Sequence, residues 1–280
     1  MFLTYLFVPG DSARKITKAL GSAADVVIID LEDAVARDQK SAARAIVRET
    51  IDELRCAATL QKPFYLRCNS ANTAFFADDM ALAKEVAPNG IVLAKCESSA
   101  DVQAVTEALG EIEVLPLIES VAGVHWLMRS DALPPQVKRV SFGAVDYALD
   151  LGTQWSATGE ERRFAMGQLV FFSRVLQLEP PVDGVFPVLN DTQAYEADAK
   201  LGKQMGFYGK MVIHPAQLAA VQAAYRFTDE ERQWAQRVVE QYETRNTGAF
   251  ELDGELIDLP VYLKARKILS AGQTGSAQSL

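Results

Sequence analysis

Short apolar runs alternate with longer amphipathic segments along most of the chain. The clearest run begins at Val26 and places four β-branched residues in a row before Asp30, which is typical of a strand covered on both faces in a parallel sheet. Eight runs of this kind predict strands, at Tyr5–Pro9, Val26–Leu31, Phe64–Cys68, Gly90–Ala94, Val114–Ile118, Val140–Phe142, Val182–Phe186 and Lys210–His214.

The segments between these runs have the spacing of amphipathic helices, and the first begins after Asp11-Ser12, which can cap it. Helices are predicted at Ala13–Leu20, Lys40–Leu60, Thr73–Ala87, Ser99–Leu109, Glu160–Leu178 and Thr192–Met205. Successive strand–helix units over about 220 residues predict a (β/α)8 TIM barrel. The alternative, a doubly wound open sheet, lacks support because the chain has neither a GxGxxG nor a GxxxxGKS/T nucleotide-binding motif.

A helix predicted at Pro215–Tyr225 follows the last strand and ends the barrel. A separate C-terminal extension comes after it, with a helix predicted at Thr228–Arg245, a hairpin turn at Asp253-Gly254 and a last helix at Val261–Leu269. Small and polar residues fill the last positions and predict a frayed tail. The predicted organisation is therefore a barrel over 1–225, a helical and hairpin extension over 226–270, and a flexible tail over 271–280.

The composition narrows the class of protein. A net charge of −9 argues against a nucleic-acid partner, which needs a clustered Lys and Arg surface. No run approaches the roughly 20 apolar residues of a membrane span, and the short apolar N-terminus, which lacks a basic leader, is interpreted as a first strand and not as a signal peptide. Cys56, Cys68 and Cys96 are odd in number and have no CxxC spacing, which favours reduced thiols and a cytoplasmic location.

Charged residues recur where the predicted strands end, which is the face of a barrel that carries chemistry. Asp30, Glu32 and Asp33 follow the second strand, and because buried carboxylates need a partner or a metal, this run first suggests a cation-binding site. Further candidates follow other strands, namely Arg67, Lys95, Glu119, Asp146 and His214.

Glu119 and Asp146 follow the fifth and sixth predicted strands, which are neighbours in a barrel. Two carboxylates at neighbouring strand ends, with water and a substrate oxygen, suit a hard octahedral ion such as Mg2+. Zinc is disfavoured because the only histidines are His125 and His214 and the cysteines are scattered. An alternative stays open for Glu119, as an acid favoured only by the dipole of the helix that follows it.

Arg67, Lys95 and His214 each allow two interpretations. The Arg67 guanidinium can clamp a substrate carboxylate with two hydrogen bonds, or it can form a structural ion pair with an acid of the second strand. Lys95 can be a Schiff-base lysine, although a lysine beside acids is more often an ion-pair partner. His214 is either a ligand contact or a helix cap.

Seven motifs, in order along nearly the whole chain, resemble the citrate lyase beta-subunit-like family of the HpcH/HpaI aldolase superfamily, with its malyl-CoA and citramalyl-CoA lyase relatives. They are LFVPGD at 6–11 with Arg14 and Lys18, IDLEDAV at 29–35 with Lys40 and Arg44, LRCN at 66–69, LPLIES at 115–120, FGAVDYALDLG at 142–152, GKMVIHPAQ at 209–217 and IDLP at 257–260. Ala94 stands where the family often has Pro, and Ser120 where Thr is usual, which leaves the subfamily open.

The resemblance implies a barrel that binds Mg2+ and cleaves, or in reverse forms, the carbon–carbon bond of a short 3-hydroxyacyl thioester of coenzyme A. Glu119 and Asp146 match the metal ligands, and Arg67 matches the residue that holds the carboxylate of the 2-oxoacid product. Other positions match contacts to substrate or coenzyme A, namely Phe7, Arg14, Lys18, Ile213 and His214.

The resemblance also implies a shared site between subunits. Asp258 of the IDLP motif matches a catalytic acid/base that the C-terminal extension of a neighbouring subunit delivers as a lid, in a homotrimer or a hexamer built from trimers. Asp30, Glu32 and Asp33 are then expected to order water around the metal and to orient Arg67, without binding the metal directly.

The expected function is therefore a Mg2+-dependent lyase for malyl-, citramalyl- or citryl-CoA. Three alternatives stay open: a citrate lyase beta subunit that acts on an acyl-carrier-protein thioester, a malate-synthase-like or thioesterase enzyme that also hydrolyses the coenzyme A product, and a scaffold barrel without catalysis.

Overall fold

The computed structural model describes residues 2–156, 158–245 and 248–270, and the predicted tail at 271–280 lies outside them. Its parallel strands are β1 (Thr4–Pro9), β2 (Val26–Asp30), β3 (Phe64–Cys68), β4 (Gly90–Leu93), β5 (Glu113–Ile118), β6 (Ser141–Phe142) and β7 (Lys210–Val212). They pair in the order β6-β5-β4-β3-β2-β1-β7. Seven of the predicted strands are therefore confirmed, with ends that shift by one or two residues.

The predicted strand Val182–Phe186 is wrong as a regular strand. Only Val182 and Asp183 pair, through isolated parallel bridges to Ser141 of β6 and Lys210 of β7. Pro181 has no N–H to extend the pairing backwards, and the chain at Gly184 passes so close to Phe142 that a Cβ there would lie 2.4 Å from its carbonyl oxygen. The two bridges still join β6 to β7, so the sheet closes and the predicted barrel is confirmed.

Helices follow most of the strands. They are α1 (Ala13–Leu20), α2 (Lys40–Cys56), α3 (Phe76–Val86), α4 (Ser99–Leu109), α5 (Val121–Arg129), α6 (Ala144–Asp150), α7 (Arg163–Val175), α8 (Thr192–Met205) and α9 (Leu218–Tyr225). The helix predicted to reach Leu60 ends at Cys56, because Ala58 adopts a left-handed φ of 55°. The sequence pattern did not predict α6. Within the described residues, no helix is both long and apolar enough to cross a membrane.

The chain divides into two compact units, one up to Tyr225 and one from Arg226. The second unit contains α10 (Asp229–Thr244), the antiparallel pair β8 (Phe250–Leu252) and β9 (Glu255–Ile257), and α11 (Leu259–Ser270). Thr228 and Glu231 form the predicted capping box of α10. The unit has its own apolar cluster, which includes Val238, Ile257 and Ile268. Its role as a lid stays a prediction.

Candidate active site

Strand periodicity explains which side chains reach the mouth of the barrel. In β2, Val27 and Ile29 pack in the layer beneath the helices, whereas Val26 and Ile28 lie in the barrel interior, so the next interior position is Asp30. The same alternation brings other residues to interior positions at strand ends, namely Phe7 after Tyr5, Arg67 after Tyr65, Glu119 after Leu117 and Ile213 after Met211.

A cleft at these strand ends consists of two adjoining cavities, of about 380 Å3 and about 40 Å3. Both cavities are lined by Phe7, Arg67, Val145, Asp146 and Val185. The larger cavity also contacts Asp30, Asp33 and Ile213. The smaller one also contacts Leu117, Glu119 and Met211. The cleft therefore combines an apolar wall with one guanidinium and several carboxylates.

Arg67 is held by two acids and an aromatic ring. Its Nε and Nη2 donate to the two oxygens of Asp30 at 2.7 and 2.6 Å, its Nη1 lies 3.2 Å from Glu32, and the Phe7 ring lies 4.8 Å from its guanidinium carbon. Burial lowers the pKa of Arg67, but Asp30 and Glu32 outweigh burial and raise it, so the group stays charged. The hydrogen bonds to Asp30 use two of the five guanidinium N–H groups, so N–H groups of Nη1 and Nη2 remain for a ligand carboxylate. Arg67 is thus an ion-pair partner that also faces the cleft.

Lys95 connects the acids that follow β2. Its ammonium contacts Glu32 and lies 3.4 Å from Asp33, whose backbone N–H donates to Glu32 at 2.9 Å. Burial raises the pKa of the Glu32 carboxyl, and Arg67 and Lys95 oppose that rise. Burial lowers the pKa of Lys95, but Glu32 and Asp33 outweigh burial and raise it. The geometry supports the ion-pair interpretation of Lys95. A Schiff base requires a neutral amine, whereas the acids around Lys95 keep its amine charged.

Glu119 and Asp146 both line the smaller cavity. Glu119 is 4% exposed, and its Oε1 accepts a hydrogen bond from the Lys95 backbone N–H at 2.7 Å. Burial, and then the charge of Asp146, raises the pKa of Glu119 to about 8. Glu119 does not cap α5: Ser120 is the N-cap, and Asp150 accepts from the Val121 N–H at 2.7 Å. The pair is therefore a buried acid beside a half-buried one, and neither carboxylate forms an ion pair within the described residues, although Arg67 lines the same cavity.

The remaining predicted site residues are distributed between the cleft and other places. Ile213 lines the larger cavity, and His214 caps the turn after β7, where its Nδ1 accepts from the Ala216 N–H at 3.1 Å. Arg14 and Lys18 are exposed on α1 and are not among the described residues that line the cleft. Asp258 belongs to the second unit, where its carboxylate accepts from the Val261 N–H at 3.2 Å and caps α11.

Two groups of supporting residues escaped the sequence-based interpretation. The buried Lys40 ammonium donates to the carbonyl oxygens of Leu31 and Glu32, both at 2.8 Å, and so fixes the backbone that carries the β2 acids. Only the motif match pointed to Lys40. The apolar wall of the smaller cavity was also missed, although the alternation along β5 and β7 would have identified Leu117 and Met211.

Gly143 provides a test of how Glu119 is packed. A Cβ at residue 143 would lie 2.2 Å from the Glu119 Cβ, so Gly143→Ala forces β6 and the Glu119 side chain apart. We expect a loss of at least ~2 kcal/mol in the free energy of unfolding, measured by urea denaturation, because overpacking in a rigid interior displaces backbone. Gly167→Ala is the control, since its Cβ would meet only Met205 at 4.0 Å in a helix. Equal stability of the two variants would contradict this packing.

Comparison with known proteins identifies the family. The family model described as HpcH/HpaI aldolase/citrate lyase matches residues 3–215, and a model described as a C–C bond lyase of the TIM-barrel fold matches residues 168–273. A citrate lyase subunit beta-like protein of Deinococcus radiodurans is 34% identical over 275 residues, which cover 95% of each chain.

Two other similar proteins match this chain over nearly its whole length. A (3S)-malyl-CoA thioesterase of Cereibacter sphaeroides is 29% identical and covers 99% of this chain and 96% of its own. A crystal structure of CitE from Mycobacterium tuberculosis, in complex with magnesium, acetoacetate and coenzyme A, superposes with a TM-score of 0.83 and 29% identity, over 97% of this chain and 98% of that one. With a family model that matches most of its barrel and a relative above 30% identity over its length, the chain belongs to the HpcH/HpaI aldolase/citrate lyase family.

Proposed function

We propose that the protein is a Mg2+-dependent carbon–carbon lyase that cleaves, or in reverse forms, a short 3-hydroxyacyl-CoA such as malyl-, citramalyl- or citryl-CoA. The observation that carries this proposal is the presence of Arg67, Glu119 and Asp146 in one cleft. Cleavage of such a thioester needs an anion clamp for the terminal carboxylate and a cation for the neighbouring oxygen. Arg67 can serve as the anion clamp, and Glu119 and Asp146 can hold the cation.

The chemistry of the acid pair fits a hard divalent cation. Glu119 is buried beside Asp146 and has a pKa raised to about 8, because the charge of Arg67 offsets only part of the effect of burial and of Asp146 on its ionised form. A cation held by the two carboxylates would stabilise that ionised form further. Within the described residues, no cluster of three or more His, Cys, Asp or Glu side chains has the geometry to hold a metal. A cation held by two carboxylates would take its other ligands from water and substrate, as Mg2+ commonly does.

Each residue of the cleft has a proposed task in cleavage. Glu119 and Asp146 would hold Mg2+, which supplies a Lewis acid next to the hydroxyl and carboxylate oxygens of the substrate. Arg67, oriented by Asp30 and Glu32, clamps the terminal carboxylate with N–H groups that the hydrogen bonds to Asp30 do not use. A base removes the hydroxyl proton, and the electrons of the O–H bond form the carbonyl group of the 2-oxoacid. The bond between the hydroxyl-bearing carbon and the α-carbon of the thioester breaks, and its electrons remain on the α-carbon as a thioester enolate. Asp33, which lines the larger cavity, is placed to order water there.

Asp258 is the proposed acid that protonates the enolate, or the base that removes that proton in the reverse direction. The proposal rests on the IDLP motif, and it includes delivery of Asp258 from a neighbouring subunit of a homotrimer or a hexamer. Phe7, Ile213 and His214 would contact the thioester, while the exposed Arg14 and Lys18 would pair with coenzyme A phosphates. The ligands named for the M. tuberculosis CitE structure, magnesium, acetoacetate and coenzyme A, support this assignment.

A substrate panel tests the proposed function. The purified chain with Mg2+ is incubated with malyl-, citramalyl-, methylmalyl- and citryl-CoA, and each 2-oxoacid product is measured. We expect cleavage of at least one thioester, a fall of at least ~100-fold after chelation of Mg2+, and recovery when Mg2+ is restored, because the metal stabilises developing charge by several kcal/mol. Cleavage that persists at the same rate without Mg2+ would exclude the metal role of Glu119 and Asp146.

Thioester hydrolysis is a second candidate function, favoured by the 29% identical relative named (3S)-malyl-CoA thioesterase. The same panel separates the two by an assay for free thiol. Thiol release without 2-oxoacid indicates hydrolysis alone, and release of both indicates cleavage followed by hydrolysis. Activity on free coenzyme A thioesters would argue against a subunit that requires an acyl-carrier protein.

A further inference from the structure

Lys95 has a backbone conformation that its position in the chain does not explain. Its φ is 50°, in the left-handed region that non-glycine residues rarely adopt. The other described non-glycine residues with positive φ lie where this conformation is routine: Ala58, Ala87 and Gln177 follow helices, and Asp253 is in the hairpin turn. Lys95 instead follows β4 at the mouth of the barrel, where strained backbone often serves a site.

The left-handed turn at Lys95 lets two successive amides, of Lys95 and Cys96, both reach β5 and the residue that follows it. The Lys95 N–H donates to Glu119 Oε1 at 2.7 Å, while the next amide, of Cys96, bonds to the Leu117 carbonyl at 3.2 Å. A hydrogen bond from a backbone N–H to a carboxylate is charge-assisted and fixes the direction of the carboxyl group. One oxygen of Glu119 is therefore held by a backbone that cannot rotate freely, and its second oxygen remains available.

The Lys95 side chain acts in the opposite direction, toward β2. Its ammonium contacts Glu32, and Glu32 lies 3.2 Å from Nη1 of Arg67. Without the ammonium, Arg67 would be the one remaining ion-pair partner of the Glu32 carboxylate within the described residues, so the buried carboxylate would bind more of the guanidinium and repel an incoming anion. Lys95 thus touches the acid pair through its backbone and the anion clamp through its side chain.

We propose that Lys95 is the positioning residue of this site: its left-handed backbone aims Glu119 at the cation, and its ammonium compensates Glu32 so that Arg67 can accept a ligand carboxylate. The inference rests on the proposed function for the identity of the two ligands, Mg2+ and a 2-oxoacid. It assigns separate tasks to the backbone and the side chain of one residue, and the side-chain task can be removed either alone or together with the backbone task.

Lys95→Asn and Lys95→Thr separate the two tasks. Both remove the ammonium, but Asn adopts the left-handed conformation readily, whereas β-branched Thr does not. Calorimetric titration of the full chain with Mg2+ is expected to give a Kd for Lys95→Asn within about threefold of wild type, and a Kd for Lys95→Thr at least ~10-fold weaker. Lys95→Gly and Lys95→Ala repeat the contrast with no polar side chain, in case Lys95→Thr folds poorly.

The side-chain task is measured with pyruvate in the presence of saturating Mg2+. Both Lys95→Asn and Lys95→Thr are expected to raise the KM for pyruvate in the condensation direction by ~10-fold with a smaller effect on kcat, and Lys95→Arg is expected to restore most of it. A purely structural role would not produce this split.

The possible outcomes distinguish the inference from the proposed function. The backbone task is wrong if wild type binds Mg2+ but the Kd for Mg2+ is the same in Lys95→Asn as in Lys95→Thr, and the same in Lys95→Gly as in Lys95→Ala. If neither variant changes the KM for pyruvate, the side-chain task is wrong. If wild type itself binds no Mg2+, the proposed function fails and the positioning role fails with it.

Discussion

Replacing Glu119 by glutamine is expected to lower kcat/KM for thioester cleavage by at least ~10³-fold, which corresponds to about 4 kcal/mol of transition-state stabilisation. The amide has the same size, and its oxygen can still accept the Lys95 N–H that holds Glu119 Oε1 at 2.7 Å. The change therefore removes the negative charge and leaves the packing. Steady-state kinetics and a Mg2+ titration measure the two consequences, lost activity and weakened metal binding.

The same variant is expected to stabilise the metal-free protein at alkaline pH. The folded pKa of Glu119 is raised to about 8, so between the unfolded value and pH 8 the folded state binds more protons than the unfolded state, and stability falls as pH rises through that window. Glutamine has no such dependence. In chelator at pH 8, its free energy of unfolding should exceed that of wild type by about 2 kcal/mol or more.

Glu97→Gln is the matched control for Glu119→Gln. Glu97 follows the neighbouring strand, β4, but it is exposed and accepts a hydrogen bond from the Ser120 hydroxyl at 2.6 Å. Its loss should change kcat/KM by less than ~3-fold, since an exposed acid is screened by water. A Glu119→Gln enzyme that retained wild-type activity and Mg2+ affinity would remove Glu119 from the metal site.

Replacing Asp258 by asparagine is expected to reduce cleavage by ~10³-fold or more while the second unit stays folded. Asp258 accepts the Val261 N–H and caps α11, and Asn is as good an N-cap as Asp, so the cap survives while the titratable acid is lost. Loss of the group that protonates the enolate removes general acid catalysis. Kinetics combined with thermal denaturation would show an inactive protein of unchanged stability.

Two companion variants define the result for Asp258. Asp258→Ala should lose both the activity and about 1 kcal/mol of stability, because Ala does not cap. Asp253→Asn is the control, since Asp253 lies exposed in the turn between β8 and β9 with a φ of 53°, which Asn also adopts. If Asp258→Asn cleaves thioesters at the wild-type rate, Asp258 is not the acid.

Mixed oligomers test whether Asp258 acts in a neighbouring subunit. Co-expression of Asp258→Asn chains with Glu119→Gln chains produces sites in which an intact barrel meets an intact C-terminal unit from the other variant. If the acid is supplied between subunits, activity should recover to about a quarter of wild type at equal mixing, as random assembly of a symmetric oligomer requires. If mixed oligomers are shown to form and no cleavage activity is recovered, Asp258 does not act on the barrel of a neighbouring subunit.

Much of the fold follows from local patterns. The five residues of β2 are all buried, as the β-branched run predicted, and α1 begins after Ser12, whose hydroxyl accepts the Lys15 N–H at 3.4 Å. These elements depend on periodicity and caps within a few residues, so the sequence contains their determinants. The pairing at Val182 and Asp183 does not follow from a local pattern. It forms because β6 and β7 lie on either side of these two residues, and the strand predicted over Val182–Phe186 is therefore too long.

The candidate site divides in the same way. The charged residues at predicted strand ends include Arg67, Glu119 and Asp146, and the sequence predicts that they lie together because a barrel gathers the ends of its strands on one face. The choice of partners needed the structure. Arg67 could have paired with any nearby acid, and only the register of β2 with β3, where Asp30 lies opposite Arg67, selects the bidentate pair.

The sequence by itself determined the barrel, the acidic strand ends and the family motifs, since each is encoded in residues that are close together in the chain. The tertiary structure decided three other features: the closure of the barrel through Val182 and Asp183, the burial of Glu119 against Gly143, and the left-handed turn that aims the Lys95 amide. All three depend on contacts between residues that are distant in sequence, and the free energy of such contacts depends on distance and burial, which no local pattern contains.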